Sequence, residues 1–400
     1  MQKQILIIGG DNGGGSAGDQ IMCEAACDFF SKKGYIVYTD AQCVEWESPI
    51  PGVHVIQQLR KDSSRSVFSR ICNAFFKLYR ILMLPLVVKT KYDIPFLRHG
   101  NDFKRVLQQT DVVLFSGCGG LTDKYPTNVL MWASIVRCAS KLKIPVYISG
   151  VGIGPLHKFY LVPLVKYICH TVNFFSVRDK NCSYMWAKKN LKRDNFCWVP
   201  DDAAYYDGYE THELTSKGKL NIGVSLMPSL FEDENTINHV AEKFSDISKR
   251  NNDIVWHLVS VTHEDYGLLK RLHSRVKESI LLPPMTPSAT KNAVSQVDIM
   301  ISARYHGCVF AVSQQIPVIA LYYEEYWEHK NQGALSMFGL ENLTYHIDVL
   351  NSREFDDILD KIINERQQLI HILRKSRESL KDKSYYIHNL IIKEHANNLG

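Results

Sequence analysis

The sequence lacks the features that mark several large classes of protein. It has no apolar run long enough to cross a bilayer, and its opening residues, MQKQILIIGG, have neither the apolar core nor the small-residue cleavage site of a secretory signal. We therefore expect a cytoplasmic protein. No low-complexity tract or short repeat interrupts the 400 residues, which is typical of a chain that folds into globular domains.

Paired cysteines are also missing. None of the ten cysteines forms a C-x-x-C pair, and several, such as Cys138 and Cys308, lie inside apolar stretches. Cysteine in such a setting behaves as a small hydrophobic residue. The pattern predicts reduced cysteines in the core rather than a disulfide framework or a metal site.

The net charge is only +5, but it is unevenly distributed. Eleven Lys or Arg residues stand against three Asp residues between Arg60 and Arg105. This segment contains FFKLYRILMLPLVV (75–88), which is too short to span a bilayer. Two interpretations are open: a basic amphipathic insertion at about 60–105 that contacts the membrane surface peripherally, or a core helix with solvated basic ends. Long aliphatic residues separate the basic ones and no recognised module is present, so we expect no nucleic-acid partner.

Short β-branched runs alternate with amphipathic stretches along most of the chain. This alternation predicts an α/β fold with two Rossmann-like, doubly wound lobes facing a cleft, a GT-B-like arrangement with C-terminal helices. The N-terminal lobe is expected at 1–210, the C-terminal lobe at 219–345 and a helical extension at 351–400, with a polar linker at 207–219. Helices are expected at 126–142 and 286–296, and strands at 5–9, 35–39, 111–117, 144–150, 173–177, 196–200, 220–226, 253–259, 297–302 and 316–322.

A glycine-rich loop, GGDNGGGSAGDQ (9–20), follows the first predicted strand. It contains a G-x-G-x-x-G spacing (13–18), but this begins several residues after the strand ends, which argues against a dinucleotide site that would use Asp40 for the ribose. The favoured interpretation is a loop that closes on a substrate, with the positive end of the next helix facing the cleft. Asp19 then either contacts the acceptor or simply caps this helix.

A series of motifs follows the predicted strands: GGDNGGGSAGD, SGCGGLTD, PVYISGVGIGPL, FFSVRDKNCSYMW, VPDDAAYY, IGVSLMP and MISARYHGCVFAVSQQIPVIALYYEEYWEHK. In this order and spacing, up to about Leu340, they resemble the bacterial polysaccharide pyruvyl transferase family. The resemblance implies an enzyme that moves pyruvate from phosphoenolpyruvate, as co-substrate, onto a sugar as a cyclic ketal, without a further cofactor or a metal. One difference is Ser16, which stands where the family tends to have Asn two residues before its Gly-Asp pair.

The donor carries a carboxylate and a phosphate, so its site needs several cations. Arg304 and His306 follow a predicted strand, and an extended backbone would point both into the cleft. We expect Arg304 to hold the donor and His306 to transfer protons, because imidazole titrates near neutral pH; the resemblance supports this choice. Arg178 would bind the donor from the other lobe, and Lys330 matches a basic residue of the family. Glycines expected to let the donor approach the backbone are Gly119, Gly120, Gly152 and Gly154.

The acceptor is expected to be a saccharide, either lipid-linked or nucleotide-linked. Tyr323 and Trp327 could stack on a sugar ring, although core packing explains them equally well. With Asp19 they are the acceptor-binding candidates. Asp201 and Asp202 are interpreted as a turn or helix cap rather than a metal site, because no His or third carboxylate stands near them.

Each charged candidate also has a purely structural explanation. Arg178 could pair with Asp179, Arg304 with an acid such as Asp298, and His306 could be a buried histidine with satisfied hydrogen bonds. Two other functions remain as alternatives: a GT-B-type glycosyltransferase that uses a nucleotide sugar, and a non-enzymatic, membrane-associated scaffold of polysaccharide assembly.

Overall fold

The structure is a computed structural model that describes residues 2–9, 11–43, 45–59, 67–208, 218–231, 233–251 and 253–397. In the first half, the strands are β1 (Gln4–Ile8), β2 (Ile36–Ala41), β3 (His54–Gln57), β4 (Val112–Ser116), β5 (Val146–Val151), β6 (Phe174–Val177) and β7 (Phe196–Trp198). They form one parallel sheet in the order β3-β2-β1-β4-β5-β6-β7. Its helices are α1 (Ala17–Lys32), α2 (Val67–Val87), α3 (Arg98–Gln109), α4 (Pro126–Leu142), α5 (Leu161–Thr171) and α6 (Met185–Asn190).

Both faces of this sheet are covered. Leu6 and Ile8 of β1 belong to one buried cluster, whereas Ile5 and Ile7 belong to another on the opposite face. Successive side chains of a strand point to opposite faces, so a strand buried on both sides must be apolar throughout. Burial on both faces therefore explains the apolar run ILII in the sequence.

The second half repeats the arrangement. Its strands are β8 (Leu220–Ser225), β9 (Ile254–Leu258), β10 (Ser279–Leu281), β11 (Ile299–Ser302), β12 (Val318–Tyr322) and β13 (Thr344–His346). They form a parallel sheet in the order β10-β9-β8-β11-β12-β13. The helices are α7 (Glu234–Arg250), α8 (Asp265–His273), α9 (Pro287–Val294), α10 (Tyr305–Ser313) and α11 (Glu325–Ser336), followed by α12 (Glu354–Lys381) and α13 (Tyr386–Asn397).

The prediction of two Rossmann-like, doubly wound lobes is confirmed. All ten predicted strands are present. The helices predicted at 126–142 and 286–296 correspond to α4 and to α9, which begins after the N-cap Thr286. Three further strands, β3, β10 and β13, were not predicted; they are three or four residues long and lie at sheet edges. An edge strand pairs on one side only, so its sequence need not be strongly apolar.

The C-terminal extension does not stay with one lobe. α12 buries Phe355 and Ile362 in the cluster that includes the second sheet. α13 instead packs on the first sheet, where Ile387 and Ile391 join the cluster that contains Ile5. The last two helices therefore tie the end of the chain back to the N-terminal lobe.

The basic segment of the sequence contains α2, which packs against α4 and buries Ile81 and Leu84. The opposite side of α2 is apolar and exposed, so the helix is not simply a core helix with solvated ends. No helix in the part of the chain that the structure describes is long and apolar enough to span a bilayer. Of the predicted basic insertion, 60–66 lies outside the described residues, as does 209–217 of the predicted linker.

Candidate active site

The carboxyl ends of the two sheets face each other across a cavity of about 540 Å³, a volume in the range of small-molecule sites. Its wall combines segments of both lobes. They are the β1–α1 loop, the β4–α4 loop with the first turns of α4, the loop after β9, the start of α10 and part of α11; Lys77 of α2 completes the wall. The cavity lies where parallel α/β sheets bind their ligands.

The glycine-rich β1–α1 loop is held in place from both sides. Asp11 accepts a hydrogen bond from the backbone N–H of Ser16 at 3.2 Å and one from the side chain of Gln42. Across the cleft, the N–H of Ala17 donates to the carbonyl of Val261 at 3.0 Å. The loop thus joins the two lobes through its backbone.

Asp40 does not fit the role of a ribose acid. Its carboxylate is 1% exposed and accepts the backbone N–H of Gly9 at 2.8 Å, so it holds the end of β1 rather than facing the cavity. Asp40 therefore cannot contact the ribose of a dinucleotide, as the dinucleotide interpretation of the glycine spacing would require.

Ser16, and not Asp19, is the N-cap of α1. The Ser16 hydroxyl accepts the backbone N–H of Asp19 at 3.4 Å, and the Asp19 carboxylate accepts the Ser16 hydroxyl at 3.2 Å. Ser and Asn are both good N-caps, so the difference from the family at this position preserves helix capping. Asp19 is left to line the cavity. Burial raises its pKa, but His306, Lys330 and Arg178 outweigh this and hold the pKa below its usual value.

Asp201 connects the charged groups of the site. Its carboxylate is fully buried and accepts hydrogen bonds from Arg178 Nη1 and the Tyr305 hydroxyl, both at 3.1 Å. It also lies 3.9 Å from Nε2 of His306. As predicted, Asp201 caps a short turn, accepting the N–H of Ala203 at 2.9 Å. Its contacts with Arg178, Tyr305 and His306 were not evident from the sequence.

Arg178 pairs with Asp201 rather than with Asp179, which instead caps the following turn through the N–H groups of 182 and 183. The guanidinium lies 3.9 Å from the ring centre of Tyr305 and is 2% exposed. Its Nη2 is buried with no hydrogen-bond partner among the described residues. A buried N–H donor without a partner costs free energy, so this group is a candidate contact for an anionic ligand.

Gly119 brings this cation close to the cavity. A Cβ on Gly119 would lie 3.0 Å from Arg178 Nη2 and 3.2 Å from Lys330 Nζ, so any side chain here would cover both groups. Gly120 also lines the cavity. Gly152 lies behind Gly119, against the Arg178 side chain, and Gly154 bonds to Leu121 away from the lining.

Lys330 extends from α11 over three aromatic rings, 5.2 Å from the ring centre of Tyr305, 5.1 Å from Tyr326 and 5.0 Å from Trp327. Burial, and then repulsion by Arg178, lowers the pKa of Lys330 to about 7, against the opposing charge of Asp19. Its side-chain amine can therefore gain a proton, and its ammonium form can lose one, near neutral pH.

His306 is the second residue of α10 and packs on Gly18 of α1. A Cβ on Gly18 would lie 1.8 Å from His306 Cγ, so the imidazole fills the space that a side chain would need. Burial lowers the pKa of His306 to about 4, although Asp19 and Asp201 oppose the shift. The expectation of a group that titrates near pH 7 is wrong for the free protein, in which the imidazole is neutral.

Arg304 is the N-cap of α10 and has an extended backbone, whereas Tyr305 and His306 are helical. Arg304 and His306 do line the same cavity, but not through the strand spacing that the sequence suggested. Arg304 pairs with the buried Asp265 and with Glu264 at 2.6 Å, not with Asp298, which pairs with Arg366 of α12. Much of the Arg304 charge is already neutralised within the C-terminal lobe.

An aromatic cluster of Tyr323, Tyr326 and Trp327 lies where the two lobes meet. Trp327 lines the cavity and donates its Nε1–H to the Tyr323 hydroxyl at 3.0 Å, whereas Tyr323 itself lies outside the lining. Lys124 of the N-terminal lobe lies 5.0 Å from the Trp327 ring centre and pairs with Glu324. Tyr323 thus orients Trp327, and Lys124 links this cluster to the opposite lobe.

Three residues of this site, Tyr305, Asp265 and Gly18, were not predicted to be functional. Tyr305 stands between the two predicted residues of the R-x-H motif and could have been found there. Asp265 carried no local signal, because its partner Arg304 is 39 residues distant. Gly18 belongs to the glycine spacing noted in the sequence, but its contact with His306 of the other lobe was not evident there.

The geometry defines a class of protein: two Rossmann-like lobes with a cavity between them that charged side chains of both signs line. Solved structures share this architecture. UDP-GlcNAc 2-epimerase from Neisseria meningitidis, bound to UDP-GlcNAc, is 10% identical, with a TM-score of 0.57 and coverage of 98% of this chain and 100% of that one. UGT89C1 of Arabidopsis thaliana, complexed with UDP-L-rhamnose, is 10% identical, with a TM-score of 0.57 and coverage of 98% and 97%. The S. aureus MnaA–UDP structure is 12% identical, with a TM-score of 0.57 and coverage of 94% and 91%.

At these identities the neighbours show the fold alone, and that fold is GT-B-like, as predicted. The comparison with curated proteins finds no match. The family model described as "Polysaccharide pyruvyl transferase" matches residues 17–325, which is more than half of the chain. The chain belongs to the polysaccharide pyruvyl transferase family, and it is a transferase by that membership.

Proposed function

We propose that the protein transfers pyruvate from phosphoenolpyruvate to a saccharide as a cyclic ketal, in the synthesis of a cell-surface or secreted polysaccharide. The observation that carries this proposal is the pair of cations around Gly119. Arg178 has a buried N–H group without a partner, and Lys330 Nζ lies beside the same glycine. Phosphoenolpyruvate has about three negative charges near neutral pH, which these cations and the N-terminus of α10 would neutralise.

The reaction needs two proton transfers. A C–H bond forms at the methylene carbon of the donor, a sugar hydroxyl adds to the neighbouring carbon and gives up its proton, and a second hydroxyl then displaces phosphate. One hydroxyl proton is thus matched by the proton added to the methylene carbon, and the other leaves with hydrogen phosphate. The site therefore needs both an acid and a base.

His306 and Lys330 suit these two roles. His306 is neutral, and its Nε2 has no hydrogen-bond partner in the described part of the chain, so it can accept the proton of a hydroxyl. Lys330 has a pKa of about 7 in the free protein and can donate a proton. The anionic donor raises the pKa of both groups, which favours the ammonium form of Lys330 when the substrate is bound.

The acceptor would lie beside the donor in the same cavity, because the Trp327 ring centre is only 5.0 Å from Lys330 Nζ. Trp327 supplies an aromatic face, positioned by Tyr323, and Asp19 supplies a carboxylate for sugar hydroxyls. Because Arg304 is paired with Asp265, it would contribute little free charge to the binding of the donor.

A thermal-shift titration with phosphoenolpyruvate, a UDP-sugar and NAD tests the donor. A ligand that binds the folded state stabilises it by about 2.7 kcal/mol at a hundred times its Kd. We expect phosphoenolpyruvate to raise the midpoint and the other two to leave it unchanged. A shift with the UDP-sugar instead would support the glycosyltransferase, and no shift with any of them would support a scaffold.

Donor affinity should depend on pH through Lys330. Above about pH 6 the phosphate is ionised and His306 is neutral, so Lys330 is the site group that titrates. Its ammonium form binds the anion, so affinity is highest below about pH 7 and falls as pH rises, by up to about tenfold per unit. Calorimetric titration measures this decline.

Lys330→Gln should bind phosphoenolpyruvate weakly and with little pH dependence over the same range. Lys188→Gln, which removes an exposed ammonium group from α6, is the matched control and should behave like the wild type. A decline of equal slope in the Lys330 variant would rule out this assignment.

A further inference from the structure

One side of α2 is apolar and faces solvent. Its large hydrophobic side chains on that side recur at spacings of three or four residues and are between 45% and 64% exposed: Ile71, Phe75, Leu78, Leu82 and Leu86. At about 1.5 Å per residue they form a stripe about 22 Å long. A contiguous exposed apolar stripe of this length marks an interaction surface rather than scattered surface residues.

The stripe continues into the segment after α2. Tyr92 is 81% exposed and Phe96 is 72% exposed, and the Phe96 ring stacks on Phe76 of α2 with a centroid distance of 6.0 Å. Exposed Lys89 and Lys91 stand between the helix and these aromatic residues. The apolar surface is therefore bordered by positive charge at its C-terminal end.

The sequence before α2 adds charge of the same sign. Arg60, Lys61 and Arg65 lie outside the described residues, but they belong to the stretch in which eleven basic residues stand against three acidic ones. A protein interface usually excludes Lys from its core and balances charge across the contact. An apolar helix face with a basic border instead matches the surface of an anionic bilayer.

We propose that α2 binds the surface of an anionic membrane, with the stripe from Ile71 to Leu86 in the lipid headgroup region. The helix lies on the bilayer and does not cross it. Its opposite side remains packed on α4 through Ile81 and Leu84, so binding needs no rearrangement of the core.

This placement sets the cavity next to the membrane. Lys77 of α2 lines the cavity and precedes Leu78 of the stripe, and α4, directly beneath α2, supplies Met131 and Trp132 to the same wall. If the proposed transfer of pyruvate is correct, on which this step rests, the fitting acceptor is a saccharide anchored in the membrane by a lipid.

Flotation of the full chain with vesicles tests the proposal. We expect the protein to float with vesicles of phosphatidylcholine and phosphatidylglycerol but much less with phosphatidylcholine alone, and to detach as salt screens the basic residues. The variant Phe75→Gln, Leu82→Gln, Leu86→Gln should reduce the bound fraction on the order of tenfold or more. Its melting temperature should match the wild type, because all three side chains are exposed.

Matched controls distinguish binding through this surface from nonspecific adsorption to vesicles. Met185→Gln removes another side chain that is 54% exposed, and Lys188→Gln with Lys189→Gln removes two exposed charges of α6; both variants should float like the wild type. Lys89→Gln with Lys91→Gln should weaken binding to anionic vesicles.

Two results would overturn the proposal. One is a wild type that stays unbound at both lipid compositions, and the other is a triple variant that leaves flotation unchanged but converts a dimer to a monomer in sedimentation, which would make α2 a contact between copies. The phosphoenolpyruvate thermal shift, measured on the same preparations, fails or succeeds independently and reports on the donor alone.

Discussion

Replacing Gly18 by alanine should reduce pyruvyl transfer at least about a hundredfold, the lower range for loss of a general acid or base. The added methyl group would lie 1.8 Å from His306 Cγ and 2.0 Å from Nδ1, which no side chain can accommodate without displacement. Either the imidazole leaves its place or α1 and α10 separate. The overpacking itself should cost about 1–3 kcal/mol of stability. Phosphate release and thermal unfolding measure the two effects.

Gly267→Ala in α8 is the matched control, because a Cβ there meets no atom within 4 Å. It should retain full activity and gain stability, since alanine is the better helix former.

A double variant shows whether Gly18→Ala lowers activity by displacing His306. If Gly18→Ala acts by displacing His306, adding it to His306→Ala should cause no further loss of turnover and should recover part of the lost stability. Additive losses of activity would show that Gly18 acts through another group, and an active Gly18→Ala enzyme would remove His306 from the mechanism.

The fold was predictable because its central strands are buried on both faces. That burial forces continuous apolar runs such as ILII and VVLFS, which stand out in the sequence. The edge strands and the return of α13 to the first sheet were not predictable, because neither depends on a local pattern. Ile387 and Ile391 have the spacing of any amphipathic helix, and this spacing does not show that they pack on the N-terminal lobe.

The site was predictable at the level of residue type and place. Basic residues after strand ends pointed to Arg178 and His306; His306 lines the cavity, and Arg178 lies behind Gly119 of the lining. What the sequence could not supply was the pairing between distant segments. Arg178 pairs with one carboxylate, Asp201, and keeps an N–H group without a partner among the described residues. Arg304 pairs with both Asp265 and Glu264, so the two arginines differ in what they have left for a ligand. The lowered pKa of His306 likewise comes from burial against another helix.

The second large effect concerns Arg178 and its partner. Arg178→Met should destabilise the protein by about 3–5 kcal/mol, because it leaves the carboxylate of Asp201 buried without its cation. The same variant should lose the thermal shift caused by phosphoenolpyruvate. A loss of both properties does not by itself separate a structural residue from a binding residue.

The double variant Arg178→Met, Asp201→Asn separates them. It removes both charges, and the asparagine side-chain oxygen can still accept the N–H of Ala203, so most of the lost stability should return. Phosphoenolpyruvate should still cause no shift, because the cation is absent. A double variant that regained the shift would show that Arg178 supports the fold and does not hold the donor.

Asp201→Asn alone gives the most direct test of the unpaired Arg178 group. It leaves a buried guanidinium without its carboxylate, so the protein should be less stable in the absence of ligand. Phosphoenolpyruvate would then be the main anion available to Arg178, and binding would relieve a larger electrostatic cost than in the wild type. We therefore expect a lower starting midpoint and a larger shift at the same ligand concentration. An equal or smaller shift would mean that the donor does not reach the guanidinium, and the anion site would have to be built on Lys330 and the N-terminus of α10 without it.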